Sequence, residues 1–256
     1  MGPASQHQHF NIEKMKKIIF TAFIFFIVKY TFAQAQFISK GIIEFEKRTN
    51  MWADLKGSYA EQMKKTVPEY KTDYFNYEFD NDKSIYAPGR ESNNKPSSFL
   101  GMPATDNQVY SDFKTKKYIA KKNVFEKTFL IEDSLRNATW KITNDFREIA
   151  GFNCRRATTV IMDSIFVVAF YTDQIMIPGG PESFNGLPGM ILGLVINRLH
   201  TTWYATKVEL ADVDINDITP PKSGKKTDNE KLLEVLKSSM KVWGADAVSN
   251  IWASMI

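Results

Sequence analysis

The side chains best suited to chemistry near neutral pH are scarce here: three histidines and one cysteine in 256 residues. His7 and His9 precede a segment read below as a removable leader, so His200 is the imidazole left for a folded domain. Nucleophilic catalysis of the Ser/His/Asp kind needs an imidazole beside the nucleophile. His200 lies between Leu199 and Thr201 at an apparent turn between strands, where an exposed, idle role is the plainer reading. No HExxH or His-x-His spacing exists, so no metal site is expected. Cys154 has no partner for a disulfide and reads as a small buried hydrophobe. A carboxylate-pair hydrolase could draw on Asp145 with Glu148, or on Asp163 with Asp173. Nothing in their spacing separates them from turn and surface residues. The expectation is a protein that is not an enzyme and carries no cofactor.

One segment stands apart. Gln174 to Asn197 reads QIMIPGGPESFNGLPGMILGLVIN, with five glycines and three prolines in an otherwise apolar run. It lacks the Lys-Ser/Thr end of a phosphate loop and the strand–glycine–helix order of a dinucleotide site. Proline fixes φ near −65° and glycine permits positive φ, so the segment reads as a sharp corner feeding a buried strand from Met190. The candidate binding residues are Pro178, Gly180, Pro181, Phe184, Gly186, Leu187, Pro188, Gly189 and Met190. Phe184, Leu187 and Met190 would pin the corner down. Three roles suit it: a structural corner, an anion site made of unpaired backbone N–H groups, or a docking surface.

The elements that position this corner repeat mostly with period two. Ile43 and Phe45 alternate with Glu44 and Glu46, and Phe75, Tyr77 and Phe79 with Asn76 and Glu78. Short strands follow at Lys83–Ala87, Val109–Phe113, Lys117–Ala120, Val124–Ile131, Thr139–Thr143, Arg156–Met162, Ile165–Tyr171, Met190–Asn197 and Thr201–Leu210. About ten strands with little helix between them predict a mainly β fold, a curved antiparallel meander forming an open or closed barrel. Trp52, Leu55, Tyr59 and Met63 predict a short helix before Pro68, and residues 229–252 a C-terminal helix broken at Gly244. Pro88 to Asn107 reads as a long loop. Phe75, Tyr77, Phe79, Phe125, Phe129, Trp140, Phe152, Phe166, Phe170 and Trp203 are expected to face inward, around a ligand-sized apolar cavity or as plain core.

Met15-Lys16-Lys17, the apolar run Ile18–Val28 and the small residues Ala33-Gln34-Ala35 form a tripartite secretory signal, cut before Gln36. The run spans about 16 Å, roughly half a bilayer core, which speaks against a membrane anchor. Residues 1–35 are therefore read as an upstream extension plus signal, and 36–256 as a single domain, exported and periplasmic or outer-membrane-associated. No cysteine follows the run, so no lipoprotein anchor is expected. Without that leader, 29 basic residues face 28 acidic ones, which excludes a nucleic-acid binder relying on charge surplus. Lys114, Lys116, Lys117, Lys121 and Lys122 interleave with Tyr118 and Ile119 and read as the solvated face of a hairpin.

Asn185-Gly186-Leu187-Pro188-Gly189-Met190-Ile191-Leu192 resembles the signature of the GLPGLI family of exported Bacteroidota proteins, with Met190 in the motif's fifth place. Ile177-Pro178, Gly180-Pro181-Glu182-Ser183-Phe184, Trp140-Lys141-Ile142 and the stretch Ile149 to Ala157 resemble its flanks. The resemblance implies secretion, a β-rich fold and neighbourhood with TonB-dependent outer-membrane receptors. It carries over no catalytic residues. The functional expectation is a non-enzymatic binding or accessory protein of the envelope assisting an outer-membrane transporter. The alternative is a periplasmic carrier of a lipophilic ligand.

Overall fold

The computed structural model describes residues 15–17, 37–58, 60–92 and 103–256. The chain divides into two units, residues 1–36 and 37–256. In the first, Met15–Lys17 forms a helical turn; the apolar run and the Ala33-Gln34-Ala35 cut site lie outside the described residues, as do positions 93–102 of the expected long loop. No helix among the described residues is long and apolar enough to cross a membrane.

The second unit is one sheet of twelve strands: β1 (Lys40–Asn50), β2 (Tyr70–Asp80), β3 (Lys83–Pro88), β4 (Gln108–Asp112), β5 (Lys117–Val124), β6 (Lys127–Ser134), β7 (Lys141–Ile149), β8 (Phe152–Ile161), β9 (Ile165–Thr172), β10 (Met190–Ile196), β11 (Thr201–Glu209) and β12 (Lys225–Thr227). Their order is β12-β6-β5-β4-β3-β2-β1-β11-β10-β9-β8-β7, linear and therefore open. Neighbours pair antiparallel, except that β12 runs parallel to β6. The fold is thus the expected mainly β meander, open rather than closed. At the β7 end the sheet turns back on itself. Arg147 of β7 donates to the Tyr204 hydroxyl of β11 at 3.0 Å, four places away in the order.

Several local expectations are corrected. Val124–Ile131 is not one strand but the junction of β5 and β6, turned at Phe125 with φ 55. The helix expected from Trp52 shrinks to α1 (Ala60–Met63). The Asn50 side chain captures the N–H groups of Trp52 and Ala53, and Gly57 takes φ 82, so the chain turns there before a helix can begin. The C-terminal helix is two, α2 (Asn229–Ser239) and α3 (Ala245–Met255), separated by a 3₁₀ turn and Gly244. Asp228 caps α2 by accepting from the Lys231 N–H at 2.8 Å. The polar run before it supplies β12.

Alternation sorts the side chains. Ile43 and Phe45 of β1, Phe75, Tyr77 and Phe79 of β2, and Trp203 and Ala205 of β11 all point to one buried face. There Phe75 stacks on Tyr86 with centroids 4.6 Å apart, and Phe45 meets Tyr77 and Tyr86 edge-on. Such pairs add about 0.5–1.5 kcal/mol each beyond the area they bury. The central aromatics therefore fill the interior. Phe125 and Phe166, expected inward, are exposed instead. Leu232 and Leu236 from α2, Met240 just after it and Met255 from α3 belong to the same core, so the helices cover this face.

Candidate functional site

Continuing the same alternation past the aromatics changes its chemistry. Beyond Phe45, β1 presents Lys47 and Thr49; beyond Phe75, β2 presents Asp73 and Lys71. The registers place Asp73, Lys47 and Trp203 side by side on β2, β1 and β11, with Lys71, Thr49 and Thr201 in the next rank. This polar half of the inner face is the floor of a cleft of about 1180 Å³. One wall is the loop after β1, with Met51, Asp54 and Leu55, and the turn Asn197–His200. The other is Trp243 with Val248, Trp252 and Ala253 of α3. Pro103, Ala104 and Thr105 close a third side.

The glycine–proline corner joins β9 to β10 as a strap packed against the inner face. Phe184, Leu187 and Met190 are buried, as are Gly180, Pro181 and Gly189; Pro178 is partly covered, and Gly186 and Pro188 are exposed. The Gly179 carbonyl accepts from the Ile191 N–H at 2.8 Å, and the Asn185 carbonyl accepts from the Trp140 indole at 2.9 Å. A Cβ on Gly179 would overlap the Tyr77 hydroxyl, and one on Gly180 would press on Ile191. The glycines thus serve close approach of backbone to sheet.

The strap delivers a carboxylate to the cleft floor. Glu182 is 2% exposed and holds φ 56, a left-handed conformation uncommon outside glycine and asparagine. Its carboxylate accepts from Lys47 Nζ at 3.0 Å and from Asn107 Nδ2 at 2.8 Å. Lys47 Nζ also lies 5.1 Å from the centre of the Trp203 ring. The Trp203 indole N–H and the Tyr86 hydroxyl are buried together and engage each other, while Asn107 Oδ1 is buried without a partner. A buried donor or acceptor left unmade costs about 1–3 kcal/mol. What a ligand in the open cleft would meet is Lys47, Lys71 and Asp73 on the floor and Trp243 and Trp252 on the wall.

Behind the strap lie two more cations. Lys122, expected on a solvated face, is 3% exposed and shares the inner face of β5 with Tyr118, Ala120 and Val124. Its ammonium donates to the Ser254 carbonyl of α3 at 3.2 Å. Burial pushes its pKa down to about 7, Glu182 pulling it up and Arg136 and Lys47 pressing it further down. Arg136 Nη2 donates to Ser183 Oγ at 3.2 Å and to the Met255 carbonyl at 3.3 Å, with Nε unpartnered.

The other sequence candidates are dispersed. His200 caps the Asn197–Leu199 turn at φ 49, with Nε2 3.3 Å from Asp54 on the cleft rim. Asp145 holds Arg156 on the exposed edge strand β7, away from the cleft lining. Asp163 and Asp173 flank the eight-residue β9, so about 25 Å of strand separates them. Cys154 is buried, its thiol 3.5 Å from the Phe152 carbonyl. Among the described residues no group of three or more His, Cys, Asp or Glu side chains is placed to hold a metal. The residues missed by sequence were Lys47, Asn107, Lys122, Arg136 and, as a site residue, Glu182.

An open β-sheet domain with a helix-walled cleft is the class these features define. The chain belongs to the family described as N-glycanase peptide, N-terminal domain, which matches residues 92–233. The structure of PNGF-II in space group P21 is similar at TM-score 0.50 and 14% identity, over 80% of this chain and 33% of that one. PNGF-II in space group C2 gives 0.49 and 15%, over 84% and 33%. At such identity the likeness is one of fold, and this chain spans about a third of the PNGF-II chains it matches. No curated protein matches it.

Proposed function

We propose that this chain is an exported, non-enzymatic binding domain of the cell envelope whose cleft takes a carbohydrate chain. The observation that carries this is the lining of the cleft, in which Lys47, Lys71, Asp73 and Glu182 share one site with the rings of Trp243 and Trp252. A sugar hydroxyl donates and accepts at one oxygen, so it can serve a lysine and a carboxylate together. The C–H faces of pyranose rings pack well on indoles, and a mixed aromatic and polar lining suits such a ligand. The family's description as an N-glycanase domain points to the glycans of glycoproteins.

Export rests on the signal-like residues 15–35. Kinship with GLPGLI proteins rests on the corner's sequence, and an outer-membrane transporter is the partner that kinship suggests. A lipophilic carrier is less well supported, because the central aromatics stack on one another and the cleft floor is charged. The test is a glycan array probed with the full chain, followed by titration of the strongest hit. Saturable binding that Trp243→Ala, a change on the cleft wall outside the Lys47–Glu182 pair, weakens at least about tenfold supports the reading. Absence of any saturable glycan binding overturns it.

A further inference from the structure

We infer that α3 is a hinged wall of the cleft, latched by Arg136 and gated by the protonation of Lys122, both of which meet carbonyls of its last turn. The inference deepens the proposed function, since the wall that moves is one side of the proposed carbohydrate cleft.

The hinge is Gly244. Its φ 60 and ψ −132 lie where glycine alone rests without strain, and a Cβ built there meets nothing within 4 Å. From that point α3 runs along the cleft with Val248, Trp252 and Ala253 facing it. The latch is at the far end. Lys122 reaches the Ser254 carbonyl at 3.2 Å and Arg136 the Met255 carbonyl at 3.3 Å, both at the long limit of useful hydrogen bonds. The Arg136 guanidinium at the negative end of the helix suits its dipole, whereas the Lys122 ammonium is there only at the cost of its burial. Ser254 and Met255 are buried, which keeps the shut form the ground state.

Lys122 makes the latch sensitive to pH. The charged groups facing it are Glu182 from the strap, Arg136 from the segment after β6 and Lys47 from β1; α3 offers it a backbone carbonyl. Glu182 is already engaged by Lys47 and Asn107, so the ammonium has no carboxylate of its own. With the wall shut, burial holds the group near pKa 7; with the wall open, water restores it toward its ordinary 10.5. Opening therefore takes up a proton between those values. The wall closes more tightly as pH rises from 7, by up to about tenfold per unit, and the effect levels off below 7.

Hydrogen exchange on the ligand-free full chain, read by mass spectrometry from pH 6 to 9 and corrected for intrinsic rates, tests this. The α3 amides should be less protected than those of β1 and β11. Their protection should rise severalfold per unit above pH 7, and Lys122→Met should flatten that slope while the sheet stays protected. Equal protection of α3 and the sheet at every pH overturns the proposal, as does an unchanged slope in Lys122→Met. Should that variant fail to fold, Gly244→Ala replaces it. Its strain in the shut form should cost α3 about tenfold in protection and β1 none; equal loss in both overturns the hinge. No glycan enters this measurement, so its failure and a blank glycan array are separate results.

Discussion

Glu182 and Lys47 meet at 3.0 Å on the inner face, although 135 residues of sequence separate them. The pair fastens the β9–β10 strap to the central strand β1. Removing one member of a buried pair strands the other, at a typical cost of about 3–5 kcal/mol. Glu182→Ala should therefore lower the unfolding free energy by about 3 kcal/mol. Glu182→Gln should cost about half that, because its amide can still accept from Lys47 while Asn107 rotates to present its oxygen. Urea melts of the three proteins check the order. Equal losses in both variants would mean that the carboxylate's bonds do not fasten the strap.

Close approach makes a different prediction for the glycines. Gly189, at φ 138, lies so near the Thr172 carbonyl that a Cβ would overlap it, and Gly179 is similarly crowded by Tyr77. Gly57 and Gly151 also hold positive φ, at 82 and 83, but have open space around them. Alanine at either open site should cost about 1 kcal/mol for the backbone alone. At Gly179 or Gly189 it should cost about 3 kcal/mol or more, since backbone or packed sheet must shift. Thermal melts separating the two pairs by less than about 5 °C would contradict this.

How much of this was legible follows from where period two is visible. Ile43 and Phe45 announce the inner face of β1, and extending the same parity reaches Lys47 and Thr49. The cleft floor was therefore implicit in the strand, although no apolar residue marked it. Lys122 was concealed by company: amid Lys114, Lys116, Lys117 and Lys121 it looks like one more solvated charge. Its parity with Tyr118, Ala120 and Val124 was the available signal. The break at Phe125 carries no glycine or asparagine, so only structure reveals the β5–β6 turn. Glu182 stood in the open beside the corner. Its inward aim depends on a left-handed φ that sequence does not announce in a glutamate.

Two lysines and a thiol shape stability against pH with opposite signs. Lys122 has its pKa lowered to about 7, so the unfolded chain binds more protons and stability rises from pH 7 upward. Lys71, lowered by burial despite its Asp73 partner, acts in the same direction. Burial pushes the Cys154 thiol up to about 12 from an ordinary 9, so stability is lost as pH climbs above about 9. Chemical denaturation should give a rise from pH 7 that levels off near pH 9, where the Cys154 slope begins to cancel that of Lys122, and a fall only above about 10.5. Lys122→Met should remove most of that rise, at most about 1.4 kcal/mol per pH unit. A wild-type profile flat from pH 7 to 9 would refute the assignment.

Trp243 separates stability from binding. It is 43% exposed on the cleft wall and touches Phe125, with ring centroids 5.1 Å apart. Trp243→Ala removes that platform outside the buried core, so stability should change by no more than about 1 kcal/mol. A pyranose ring packed on the indole would lose its support, and affinity should fall about tenfold. Calorimetric titration of the array's best glycan, alongside a urea melt, measures both. Unchanged affinity would remove Trp243 from the binding wall, and a large loss of stability would mean that the indole is needed for packing instead.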